Sequence, residues 1–137
     1  MCGNNSQGGK DTARISSSSF PRVLLVDDEP MMWRMMHRIV GPKYILETAS
    51  DALQAAELLN KHKFHIVVTN YDLPGHDGLW LLKMAKESSP DAQRILLSDH
   101  AAEAIDENIK SGLIHRFISK PINQDDFANM FFGEDDE

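Results

Sequence analysis

The sequence predicts an α/β fold: five parallel strands in a doubly wound sheet, wrapped on both faces by helices. Three observations lead there. VLLV (23–26), IVV (66–68) and ILL (95–97) are apolar without the alternation of a half-exposed strand, as strands buried on both faces are. Each is followed by turn residues and then by apolar residues at helical spacing, so that strand and helix alternate five times along the chain. The strands also end in polar residues, Asp27, Asn70, Ser98 and Lys120. A parallel sheet gathers such residues at its carboxyl edge, where open α/β sheets place their chemistry.

Composition sets the outer limits. A chain of 137 residues, 42% hydrophobic and 26% charged, supports one domain with a real core. A net charge of −7 argues against nucleic acid or an anionic membrane as partner and leaves proteins and cations. Cys2 is the single cysteine, and no apolar run reaches the length of a membrane span or signal core. A reduced, soluble, cytoplasmic protein is expected. Residues 1–20 are rich in Gly, Asn and Ser and are expected to be a disordered tail, residues 21–132 to form the domain, and 133–137 to be an acidic tail.

Each element has its own signals. The first strand runs into Asp27, Asp28 and Glu29, and Pro30 then starts a helix to about Val40, because proline loses nothing at a first turn. Met32, Met35, Met36 and Ile39 form its inward stripe; Trp33 falls outside it. Gly41 and Pro42 stop this helix, and YILETA makes the second strand. Ser50 is expected to cap the second helix, with Leu53, Ala56 and Leu59 inward. Strand three, from Ile66, ends in Asn70 before a turn containing Pro74, Gly75 and Gly78. Asp77 caps the third helix, which is expected to turn Leu79, Leu82 and Met84 or Ala85 inward and to leave Trp80 out of phase.

RILLS ends the fourth strand in a hydroxyl, and a fourth helix from about Ala101 to Ser111 is closed by Gly112. HRFIS is the fifth strand and delivers Lys120 ahead of Pro121. Asn123 then caps a last helix, with Ile122 and Phe127 as a hydrophobic staple and Phe131 continuing the face.

Brought to one edge, Asp27, Asp28, Ser98 and Lys120 are hard to explain as packing. Adjacent carboxylates repel and are tolerated where solvent or a divalent cation compensates them. A hydroxyl and an ammonium beside such a cation would serve phosphoryl oxygens. The residues alone thus point to a metal-assisted phosphoryl site.

The ordered set VLLVDDEP, TNYDLPGHDG, ILLS and FISKP, over residues 22 to about 131, resembles the receiver domain of two-component response regulators. The segment IKSGLIHRFISKPIN (109–123) further resembles receivers joined to HD-GYP phosphodiesterases. The resemblance implies the flavodoxin-like (βα)5 fold with sheet order 2-1-3-4-5. It implies Mg²⁺ held by Asp28 directly, by Asp27 mainly through water, and by the backbone carbonyl of Asp72. It makes Ser98 the switch hydroxyl, Lys120 the phosphoryl-pairing lysine and Phe117 the switch aromatic. Expected partners are a histidine kinase, a phosphotransfer protein or an output domain. Docking or homodimer formation would use the surface of helix four, strand five and helix five, including Ile114, Arg116, Met130, Phe131 and Phe132.

One position departs from the pattern. The phosphoaccepting aspartate belongs four residues before the proline, and Asn70 stands there. An amide oxygen is neutral and its nitrogen is not nucleophilic, so Asn70 cannot attack phosphorus as a carboxylate does. It also withholds a negative charge from the cation, so Mg²⁺ is expected to be weak or absent. The leading expectation is a non-enzymatic pseudo-receiver that signals by phosphorylation-independent protein binding. The alternatives are a receiver phosphorylated at a non-standard acceptor and a metal or small-ligand sensor using the emptied pocket.

Overall fold

A computed structural model of the chain describes residues 20–99 and 106–129. The polar tail, the first turns expected of the fourth helix, Met130, Phe131, Phe132 and the acidic tail lie outside the described residues. So does the side chain of Phe127, and with it the expected staple.

The strands are β1 (Arg22–Val26), β2 (Ile45–Ala49), β3 (Ile66–Asn70), β4 (Gln93–Ser98) and β5 (Arg116–Ser119). The helices between and after them are α1 (Pro30–Val40), α2 (Ala52–Lys61), α3 (Gly78–Ser88), α4 (Asp106–Lys110) and α5 (Gln124–Ala128). All pairings are parallel and the sheet order is β2-β1-β3-β4-β5, as the resemblance implies. Alternate residues of each strand feed opposite faces. Leu24, Val26, Val67 and Leu96 pack with Leu59, Leu81, Leu82 and Ala85 under α2 and α3. Leu25, Val68, Ile95 and Leu97 pack with Met32, Met36 and Val40 under α1. Met32 and Met36 are therefore core, Met35 and Ile39 pack at its margin, and Met31, outside the stripe, is exposed.

Two helices differ in phase from their sequence reading, for one reason. Asp51, and not Ser50, caps α2: its Oδ1 accepts the Gln54 N–H at 2.8 Å, while Gln54 Oε1 accepts the Ser50 N–H at 2.8 Å. Counting from that cap buries Ala52, Ala55, Ala56 and Leu59 and leaves Leu53 61% exposed. Asp77 caps α3 as expected, accepting the Trp80 N–H at 2.9 Å, and the same count buries Gly78, Leu81, Leu82 and Ala85. Leu79 and Met84 are only half-buried at the margin. The first, fourth, fifth and eighth residues after each cap face the sheet, and three of the four in α2 are alanines that let the helix lie close to it. Asn123 caps α5 reciprocally with Asp126, through bonds of 2.9 and 3.2 Å.

Trp33 and Trp80, expected off their stripes, are both half-buried. The Trp33 indole N–H donates to the Asp27 carbonyl at 2.7 Å, and Trp80 stacks on His76 with ring centres 3.8 Å apart.

Candidate functional site

The register sets the strand ends next to one another. Val26 pairs with Thr69, Asn70 with Leu97 and Ser98 with Ser119, so Asp27, Asn70, Ser98 and Lys120 all lie at the carboxyl edge of neighbouring strands. Backbone bonds continue the ladder past the strands: Asp27 N–H to the Ala49 carbonyl, Tyr71 N–H to that of Leu97 and Lys120 N–H to that of Ser98.

Asp27 is wholly buried. Its Oδ1 accepts the Glu29 N–H at 3.0 Å, whereas its Oδ2 has no hydrogen-bond partner. The Lys120 ammonium lies 3.7 Å from Oδ2, close enough for charge attraction and too far for a good hydrogen bond. Burial pushes the Asp27 carboxyl above its ordinary value, the Glu29 N–H and then Lys120 pull it part of the way back, and the charges of Glu29 and Asp28 push it up again. Asp28 and Glu29 are exposed, and Glu29 holds the N-cap position of α1 without a side-chain cap bond. The acidic run therefore does more than cap a helix: its first member is sunk into the sheet's edge.

Asn70 is 8% exposed, and its side-chain Nδ2 donates to the Asp72 carbonyl at 2.8 Å. That bond has no one-dimensional signature and was not foreseen. The Thr69 hydroxyl, a conceivable substitute acceptor, is fully buried and donates to the Asn70 carbonyl at 3.0 Å. The Gly78 Cα lies so close to strand three that an added Cβ would meet the Asn70 carbonyl oxygen. Glycine is required there for approach, which its place at the helix start does not reveal. Ser98 is buried, and Phe117 is half-buried against the cluster under α2 and α3. Beside the site, Met31, Met35, Asp99, Lys120 and Ile122 line a cleft of about 440 Å³.

The Mg²⁺ that the resemblance implies can be tested against these groups. Asp27 Oδ2 offers one unpartnered buried oxygen, which suits a cation. The carbonyl of Asp72 already accepts the Asn70 amide hydrogen, which occupies one of its two lone pairs. Among the described residues no group of three or more His, Cys, Asp or Glu side chains comes together to hold a metal. The described groups thus offer a divalent ion one buried carboxylate oxygen, Asp27 Oδ2, that accepts no hydrogen bond.

Comparison with known proteins agrees with this architecture. The response regulator receiver domain model matches residues 23–132. The two-component response regulator ARR10 of Arabidopsis thaliana is 31% identical over 114 residues, covering 80% of this chain and 20% of that protein. The transcriptional regulatory protein YesN of Bacillus subtilis is 32% identical over 108 residues, covering 75% of this chain and 29% of that protein. The chain thus spans less than a third of the length of either relative. Among solved structures, the signal receiver domain of an HD domain-containing protein from Pseudomonas fluorescens Pf-5 superposes with a TM-score of 0.68 at 32% identity, over 77% of this chain and 79% of that one. The chemotaxis response regulator CheY4 of Vibrio cholerae superposes with a TM-score of 0.73 at 21% identity, over 82% and 96% of the two chains, a likeness of fold. Among the described residues no helix is long and apolar enough to cross a membrane.

Proposed function

The chain belongs to the response regulator receiver domain family of two-component signalling, and from that premise we propose that it is a pseudo-receiver acting by phosphorylation-independent protein binding. The observation that carries this is Asn70 at the end of β3, where the family's phosphoacceptor belongs. Its amide supplies no anionic nucleophile, and the nearest hydroxyl, on Thr69, is buried and engaged. No reaction is assigned to the chain. Ser98, Phe117 and Lys120 keep the switch and phosphoryl-binding positions without a phosphoryl group to read. Asp27, Asp28 and the Asp72 carbonyl keep the metal positions, with Mg²⁺ weak or absent.

The partner in this reading is another signalling protein: a histidine kinase, a phosphotransfer protein or an output domain. The likeness to a receiver from an HD domain-containing protein favours an output domain of that kind. Residues 21–132 act as the module, and the surface of α4, β5 and α5 is the proposed docking or homodimer face. The net charge of −7 argues against nucleic acid and anionic membrane as partners, and the proposed site of action is the cytoplasm.

The test is chemical. Incubated with Mg²⁺ and acetyl phosphate, the wild type should gain no acid-stable, base-labile phosphate by intact mass, whereas Asn70→Asp should become modified. Phosphate on the wild type would overturn the reading.

A further inference from the structure

We infer that the Asn70 side-chain amide takes the place of a cation: it is a positioning residue that closes the β3–α3 connection with no metal bound. The inference deepens the pseudo-receiver reading and rests on its vacant nucleophile position, but it is carried by a different observation, the 2.8 Å bond from Asn70 Nδ2 to the Asp72 carbonyl.

Donors and acceptors at position 70 decide what can face the Asp72 carbonyl. An ionised aspartate carries only acceptors, so an aspartate at position 70 would confront the Asp72 carbonyl as one acceptor facing another. Two such oxygens at this partly buried edge stay together only when a cation or a hydrogen-bond donor lies between them. An amide of the same shape offers N–H donors. Replacing one oxygen by NH2 turns repulsion into a hydrogen bond and removes the vacancy a cation would fill. The buried charge that remains, on Asp27, faces Lys120 at 3.7 Å, an ammonium that compensates it in part.

The bond stabilises more than one carbonyl. On either side of Asp72 the connection is tied down: Tyr71 N–H donates to the Leu97 carbonyl and Gly78 N–H to the Tyr71 carbonyl, each at 2.8 Å. Gly78 packs directly on the Asn70 backbone, and Asp77 caps α3 through the Trp80 N–H at 2.9 Å. The segment so held carries His76 stacked on Trp80. With Asn70 as the internal tie, that aromatic pair is presented in one geometry whether or not divalent ions are present.

Hydrogen exchange of the full chain, read over residues 71–78 in EDTA and in millimolar MgCl2, tests this directly. The wild type should exchange at the same rate in both. Asn70→Ala should exchange faster, by up to about tenfold for the loss of one part-buried hydrogen bond, and Mg²⁺ should not restore it. Asn70→Asp should exchange fast in EDTA and slow down with Mg²⁺. The inference is overturned by saturable slowing of the wild type with Mg²⁺, by an Asn70→Ala segment as protected as the wild type, or by an Asn70→Asp segment indifferent to the cation. A Mn²⁺ titration of the wild type by electron paramagnetic resonance needs no variant; it should show no saturable site, and a saturable site overturns the inference. A wild type that binds Mn²⁺ and still takes no phosphate would sink the internal tie and leave the pseudo-receiver reading standing. A wild type that takes phosphate and yet has no Mn²⁺ site would do the reverse.

Discussion

At the amino edge of the sheet, Arg22 and His65 form a reciprocal pair: His65 N–H donates to the Arg22 carbonyl at 2.8 Å and His65 Nδ1 accepts the Arg22 N–H at 3.0 Å. Arg94 and His115 repeat the arrangement between β4 and β5 at 2.9 Å in both directions. The Arg94 guanidinium, 3% exposed as a residue, donates to the carbonyls of Leu113 at 2.8 Å and Gly112 at 3.1 Å. At the carboxyl edge the buried charge is Asp27, with one oxygen unpartnered and its ammonium beyond hydrogen-bond reach. Both edges bury a charge. One surrounds it with fixed dipoles of the chain, and the other leaves it short of partners, which is the arrangement of a site and not of a brace.

The comparison predicts where substitution hurts most. Arg94→Met should cost about 3 kcal/mol or more, because it strips donors from buried carbonyls that keep their desolvation penalty. Urea unfolding would measure it; a loss below about 1 kcal/mol would mean those carbonyls find water and the amino edge is no brace.

The carboxyl edge should answer to crowding instead. Gly78→Ala places a methyl against the Asn70 carbonyl and should cost about 2 kcal/mol, as overpacking of tight sites does. The same variant should loosen the Asn70 to Asp72 bond, so faster exchange over residues 71–78 would accompany the lost stability. If Gly78→Ala unfolds at the wild-type midpoint, the close approach at this edge is not what holds it.

How far this contrast could be read in advance differs between the two edges. The strand runs and their order of polar ends announced the carboxyl edge, because a buried parallel strand must be apolar and its first polar residue marks where it leaves the sheet. Asn70 stood out for the same reason. The bond from its amide to Asp72 was not legible, since it depends on how three residues turn after the strand. Helix phase was missed at Leu53 because leucine outweighs alanine in a hydrophobic count, and at Leu81 because Leu79 competes with it for the same face, while the caps at Asp51 and Asp77 decide which residues face the sheet. Arg94 read only as the first residue of RILLS; nothing local says that the α4–β5 connection folds its carbonyls around the guanidinium.

His115 gives a smaller effect that depends on pH. Burial, then Arg94 and Lys86, hold its imidazole below the ordinary histidine value, and its Nδ1 must be unprotonated to accept the Arg94 N–H. A value lowered by folding means stability that is full above the unfolded histidine range and is lost as pH falls through the folded value. His115→Ala should cost at most about 1 kcal/mol at neutral pH, for the bond to the Arg94 N–H at a residue that is itself exposed, and the gap to the wild type should narrow on acidification. A gap that stays constant would assign the loss to packing alone.

Asp27→Asn should have the smallest effect of the four and the opposite sign. The variant keeps an oxygen for the Glu29 N–H bond and removes the charge whose burial is under-compensated. Because burial holds the Asp27 carboxyl above its unfolded value, the folded chain binds that proton more tightly, and the wild type loses stability as pH rises through the folded value. Above the folded value the wild type carries that penalty in full and the variant none, so unfolding in urea there should show the variant slightly more stable. At a pH below the unfolded carboxylate range both chains are neutral at this position and the gain should vanish. A variant less stable than the wild type above the folded value would mean that Lys120 at 3.7 Å stabilises the charge by more than burial penalises it. The two edges would then be alike in bracing their buried charges, and the argument that the carboxyl edge is held short of partners would fail.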